Sequence, residues 1–161
     1  MILGINATRS AIILAQTRGA GRKFVVTAIQ PIPFSVDSGN DLGKLQRTLL
    51  TSFAAKGTDK SAQPIIALLK CSSGRFGSCL EAIKGEAIVE LAASVRGLRV
   101  VKVPPQSLKK ALCCAKDQKW RDRAAELFNP RAKRPNWSKG AAGAVAVAFK
   151  VAGEEGKAQL D

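Results

Sequence analysis

Residues 2 to 30, ILGINATRSAIILAQTRGAGRKFVVTAIQ, decide the fold class. Inside them, residues 2 to 5, 10 to 16 (SAIILAQ) and 22 to 30 (RKFVVTAIQ) are short apolar or β-branched runs, and Arg18-Gly19-Ala20-Gly21 separates the last two. Runs of this length bounded by turn residues read as strands, and consecutive strands joined by tight turns pair antiparallel. The expectation is a three-stranded meander that Pro31 and Pro33 bring to an end.

Beyond the meander the period changes. Asp37-Ser38-Gly39-Asn40-Asp41 forms a loop, and Leu42, Leu45, Leu49, Leu50 and Phe53 follow at the three-to-four spacing of an amphipathic helix that Gly57 closes. PIIALL (64 to 69) reads as a buried strand. Leu80, Ile83, Ala87, Ile88, Leu91, Ala92 and Val95 mark a long helix stopped by Gly97, and LRVVKV (98 to 103) is a fifth strand. Pro104-Pro105-Gln106-Ser107 starts a short helix carrying Leu108, Ala111 and Leu112, and residues 117 to 128 add another with Trp120, Ala124, Leu127 and Phe128 on its apolar side. A basic loop, Asn129 to Trp137, leads to a last helix from Ala141 to Val151. The order β-β-β-α-β-α-β-α-α-α predicts an α/β fold with a mixed five-stranded sheet flanked by helices. Residues 1 to 153 are read as one domain and 154 to 161 as a polar tail.

The 161 residues fit one hydrophobic core, with 46% hydrophobic residues and no repeat or low-complexity segment. Lys and Arg number 26 against 12 Asp and Glu, a net charge of +14, which favours polyanionic partners. Nucleic acid is the first expectation, DNA ahead of RNA, and an acidic protein surface the second. The start, Met1-Ile2-Leu3-Gly4-Ile5, carries no secretory pattern, and no apolar stretch reaches the ~18 residues needed to span a bilayer. A soluble cytoplasmic protein with no membrane association is expected. Cys71, Cys79, Cys113 and Cys114 fit neither a disulfide framework nor paired zinc-ligand spacings, and with no His in the chain they read as free thiols with no metal.

Three segments resemble the RuvC family of the ribonuclease H-like superfamily. Leu3-Gly4-Ile5-Asn6 is similar to the family's opening Leu-Gly-Ile-Asp. PIIALLK (64 to 70), continuing through Gly74-Arg75-Phe76 and Lys84-Gly85-Glu86-Ala87-Ile88 to VVKVPPQSLKKAL, resembles its central stretch. Gly140-Ala141-Ala142-Gly143-Ala144-Val145-Ala146 is similar to its final-helix motif Asp-Ala-Ala-Asp-Ala-Leu-Ala. An uncharacterised bacterial RuvC-like family with the same Gly-Lys/Arg-Phe element looks closer still. The resemblance implies a ribonuclease H-like fold, a homodimer, and a site where four carboxylates hold two divalent cations for phosphodiester hydrolysis. Here it puts Asn6, Lys70 (or Leu69, one residue earlier), Gly140 and Gly143 at those four positions. Amide, ammonium and glycine supply no hard anionic oxygen for magnesium. Between Glu126 and Glu154 there is no Asp or Glu, so no small shift restores the last pair. A pseudonuclease with no cofactor is expected, not an enzyme.

Competing sites are weaker. Glu86 and Glu90, with Glu81 nearby, share a helix face and open the alternative of a relocated metal site, but read as solvated or ion-paired surface carboxylates. The chain lacks Tyr and a GxxxxGK[ST] loop, Gly19-Ala20-Gly21 is a hairpin turn, and Cys113 or Cys114 has no partner base. The basic clusters remain. Lys109, Lys110, Lys116, Lys119, Arg121 and Arg123, then Arg131, Lys133, Arg134 and Lys139, interleave with Trp120 and Trp137, a composition suited to phosphate contacts and base stacking. Lys70 and Arg75 form a second patch, where either the Lys70 ammonium would take the place of the missing cations and hold a phosphate oxygen, or the site has simply decayed. The function expected is an inactive RuvC-like domain that binds structured or branched nucleic acid. The alternatives are a scaffold module for an acidic protein and a divergent metal-dependent nuclease.

Overall fold

The computed structural model describes residues 1–54, 63–71, 79–130 and 133–158. Five strands form one mixed sheet: β1 (Ile2–Ala7), β2 (Ala11–Arg18), β3 (Val25–Pro33), β4 (Ile65–Leu69) and β5 (Val100–Val103). Their order is β3-β2-β1-β4-β5, with β3, β2 and β1 antiparallel to one another and β1, β4 and β5 parallel. The helices are α1 (Gly39–Ala54), α2 (Leu80–Val95), α3 (Gln106–Ala111), α4 (Trp120–Phe128) and α5 (Lys139–Ala158). The α/β order read from the sequence is therefore present, with one 3-10 turn at Gly21–Lys23 added. Gly57 and the Gly74-Arg75-Phe76 element lie outside the described residues.

Strand alternation builds a core on each face of the sheet, because successive side chains point to opposite sides. Leu3, Ile5, Ile12, Leu14, Ile66 and Leu68 pack with α1 and α2 on one face. Ile2, Ala67, Leu69 and Val103, with Ile13 and Ala15, face α5 on the other. Helix α5 rides against β1 so closely that a Cβ on Gly4 would lie 1.9 Å from the Ala144 carbonyl oxygen. Only glycine admits that approach.

Two expectations need correction. Strand β3 does not end before its prolines: Pro31 stands opposite Ile13 and Pro33 opposite Ala11. β3 is an edge strand, where a missing N–H can face away from the ladder. The polar residues from 154 do not leave the last helix at once. Glu155 pairs with Arg99 at 2.9 Å and Glu154 with Lys150, and α5 runs on to Ala158. Helix α2, whose apolar pattern fits core or interface alike, turns several of its large apolar residues outward. Its inward face is Ala82, Gly85, Glu86, Val89, Ala92 and Ala93, while Leu80, Ile83, Leu91 and Val95 are 59%, 42%, 47% and 61% exposed. Small residues win the inward face because α2 sits tightly on its neighbours. A Cβ at Gly85 would come within 3.0 Å of both Ile12 and Phe34.

Candidate nucleic-acid interface

The carboxyl ends of β1 and β4 open into a groove of about 880 Å³, closed on its other sides by α4, the loop before α5, and the start of α5. Crevices outside the carboxyl ends of strands, where neighbouring connections diverge, are the usual ligand positions in open α/β sheets.

Of the four positions singled out in the sequence, Asn6, Lys70 and Gly140 line the groove, and Gly143 packs behind Asn6. Asn6 leaves the end of β1 and its Nδ2 donates to the Gly140 carbonyl at 2.9 Å. A Cβ on Gly143 would lie 2.6 Å from Asn6 Nδ2 and 2.9 Å from Leu69 Cδ2. A Cβ on Gly140 would meet Ile13 at 2.6 Å and Thr8 at 2.9 Å. Ile5 pairs with Leu68 across the parallel β1–β4 ladder, so the next residues, Asn6 and Leu69, are neighbours on the α5 face. Of the two β4 alternatives, the structure thus sets Leu69 against Asn6 and Gly143, and Lys70 projects exposed from the groove wall one residue on. These residues do not fit a pair of divalent cations. The donor set is one amide already bonded to a carbonyl, a leucine and two glycines in tight contact. Among the described residues no cluster of three His, Cys, Asp or Glu exists to hold a metal.

Glu86 and Glu90 are not simply solvated. Glu86 is 8% exposed, its Oε2 accepts the Cys71 N–H at 2.8 Å, and Lys102 reaches Glu86 at 3.5 Å and Glu90 at 2.6 Å. The ion pairing read from the sequence is present, but the surface placement of Glu86 is corrected. Lys102 lies on β5, and no helical spacing reveals a partner on the next element. The hydrogen bond to Glu90 holds the Lys102 ammonium above its ordinary pKa, and burial followed by the Glu86 carboxylate pushes the Cys71 thiol up to about 12. An ammonium wedged between the two carboxylates already occupies the place a relocated metal would need.

The residues of the basic clusters divide into three groups, with Trp137 and the acidic Asp122 in the first. Lys70, Arg121 and Trp137 line the groove, joined by Arg9 and Asp122, which the sequence reading passed over. Lys109, Lys110, Lys119 and Lys133 are exposed outside it. Arg134 is built into the fold: its Nε donates to the Phe128 carbonyl at 2.5 Å and its Nη1 to Val26 O at 2.8 Å. Asn136, at φ 60°, donates to Ile29 O at 3.1 Å, so Arg134 and Asn136 together fasten the loop onto edge strand β3. That loop presents Trp137 half-buried in the groove wall. Trp120 is core at 9% exposure, with the Arg121 guanidinium 4.5 Å above its ring. Arg75, Arg131 and the side chain of Lys139 lie outside the described residues.

No protein-family model matches this sequence, and no curated protein does. Among solved structures the chain is similar to Thermus thermophilus RuvC, with a TM-score of 0.64 and 17% identity over 92% of this chain and 90% of that one. The similarity to T. thermophilus RuvC in complex with Holliday junction substrate has a TM-score of 0.67 and 16% identity over the same shares. The fold is that of a RuvC-like, ribonuclease H-like domain. Among the described residues no helix is long and apolar enough to cross a membrane.

Proposed function

We propose that this chain is a RuvC-like pseudonuclease that binds structured or branched nucleic acid, DNA ahead of RNA, through backbone contacts and without hydrolysis. The observation that carries the reading is the packed floor of the groove. The Asn6 amide is bonded to the Gly140 carbonyl, and a Cβ on Gly140 or Gly143 would press on Ile13, Thr8, Asn6 and Leu69 at 2.6–2.9 Å, so a larger side chain there requires its neighbours to shift. A site whose side chains had merely been lost would leave space. Here close helix–strand packing takes up that space, which supports a fold that binds without hydrolysis.

The net charge of +14 and the exposed cations around the groove support a phosphate-tracking surface. The fold neighbour solved with a Holliday junction supports a branched ligand. The exposed apolar stripe on α2 supports a homodimer. Leu80, Ile83, Leu91 and Val95 run along a helix of 16 residues, about 24 Å at 1.5 Å per residue, and stripes of that size on soluble domains mark interfaces.

The test is binding of labelled four-way junction, duplex, single-stranded DNA and RNA across a salt series with magnesium, scored for both mobility shift and cleavage. Salt-sensitive shifts without cleavage are expected. Metal-dependent cleavage would sink the pseudonuclease reading, and no shift at physiological salt would transfer it to an acidic protein partner. Leu91→Glu with Val95→Glu is expected to halve the mass seen by light scattering, and a parent protein already monomeric at micromolar concentration would remove the dimer.

A further inference from the structure

We propose that the groove receives one unpaired nucleotide of the bound nucleic acid, with guanine preferred, an inference that rests on the nucleic-acid-binding reading above. Its volume of about 880 Å³ is that of a site for a small organic group. A paired duplex can lie across the mouth, but only a base swung out of the stack reaches the floor. Trp137 supplies a ring for that base to stack on. Its loop is fastened to β3 by Arg134 and Asn136, so little ordering is required on binding. Lys70, Arg9 and Arg121 stand at the same groove, where the flanking phosphates of an extruded nucleotide would lie.

Asp122 sets the base preference. It is the one carboxylate among the described residues lining the groove, and it makes no hydrogen bond or ion pair with any described residue. Asp122 stands exposed in the first turn of α4, so its carboxylate oxygens are open to N–H groups of a ligand. Ionised, it accepts two parallel donors. The Watson–Crick edge of guanine offers an adjacent N1–H and N2–H pair to match. Thymine and uracil offer a single N–H, and adenine and cytosine only an amino group beside an acceptor.

The experiment compares short duplexes that differ only in carrying an unpaired dG, an unpaired dT, or no extra nucleotide, measured by anisotropy at one salt concentration. The dG bulge is expected to bind about tenfold more tightly than either of the others, the size of one good bidentate base contact. Asp122→Asn is expected to cut that preference to about twofold while tightening binding to the uninterrupted duplex, because a repelling charge is gone. Tryptophan emission gives a second readout, since the chain has two Trp and no Tyr. Quenching by bulged DNA is expected in the parent and lost in Trp137→Phe, which keeps an apolar ring in the wall. Equal binding of all three duplexes, with ordinary salt dependence, overturns the unpaired-nucleotide site and leaves the broader reading standing. Uniform tightening by Asp122→Asn with the dG preference intact overturns the role of Asp122. Failure to bind any of the three while a four-way junction is still shifted overturns this inference and leaves the broader reading standing, and failure to shift the junction as well sinks both.

Discussion

Gly143→Ala tests the packed floor directly. The new methyl would stand 2.6 Å from Asn6 Nδ2, 3.0 Å from Asn6 Cγ and 2.9 Å from Leu69 Cδ2. Asn6 cannot retreat freely because its amide is bonded to Gly140 O. Overpacking of this kind costs ~1–3 kcal/mol, and loss of the amide bond adds ~0.5–1.5. Replacing glycine by alanine inside a helix returns ~1 kcal/mol. The net expectation is a destabilisation of about 2 kcal/mol, or a fall in Tm of about 4–8 °C for a chain of this size. Gly153 is the internal control: it lies on the same helix, and a Cβ there meets nothing within 4 Å. Gly153→Ala should be neutral or gain up to ~1 kcal/mol. Thermal and urea unfolding followed by circular dichroism would measure both, and Asn6→Ala combined with Gly143→Ala should recover most of the loss. If Gly143→Ala melts at or above the parent temperature, the floor has slack and the argument that carboxylates no longer fit is refuted.

Glu86→Ala strips the Cys71 N–H of its acceptor and leaves Lys102 with Glu90 alone, an expected loss of ~1–3 kcal/mol by urea unfolding, with Glu86→Gln costing less because an amide oxygen can still accept. A loss of stability without any change in nucleic-acid cleavage would separate this structural role from a metal site. Lys133→Ala should lower the slope of log affinity against log salt by ~0.9 without affecting Tm, whereas Arg134→Ala should lower Tm, since its guanidinium is committed to two carbonyls. Equal Tm values for the two variants would contradict that assignment. The raised folded-state pKa of Cys71 means its contribution is complete below pH 9.0, the ordinary thiol value, and is lost as the pH climbs toward about 12. Stability should therefore fall above pH 9.0, less steeply in Cys71→Ala. Iodoacetamide near pH 8 should label exposed Cys79 and Cys113 well before Cys71, and equal labelling rates would show that the thiol is neither buried nor bonded as described.

Elements and their order were legible because each carries a local signal. The meander, the amphipathic spacing in α1, the glycine stop at Gly97 with φ 64° and the Pro-Pro start of α3 all depend on contacts within a few residues. The weak points were those where the deciding partner is distant. Prolines in β3 look like terminators until the strand proves to be an edge, and the apolar pattern of α2 fits core or interface alike until Ala82, Gly85 and Val89 prove to be what it turns inward. Trp120 reads from the sequence as core or stacking ring alike, and the fold decides for core, while Trp137 from the basic loop stands half-buried in the groove wall.

By itself, then, the sequence determined the fold class, the charge, and the residue types at Asn6, Lys70, Gly140 and Gly143. Periodicity and composition are properties of the chain alone, so they survive without coordinates. The tertiary structure decided that Leu69 stands beside Asn6 on the groove floor, that the two glycines are filled space instead of vacancy, and that Arg134 braces a loop. It also placed Lys102 between Glu86 and Glu90 and brought Asp122 and Arg9 to the groove. Each of these joins residues far apart in the chain. Such contacts are set by how closely α5, β1 and β4 approach, a distance that no local pattern encodes.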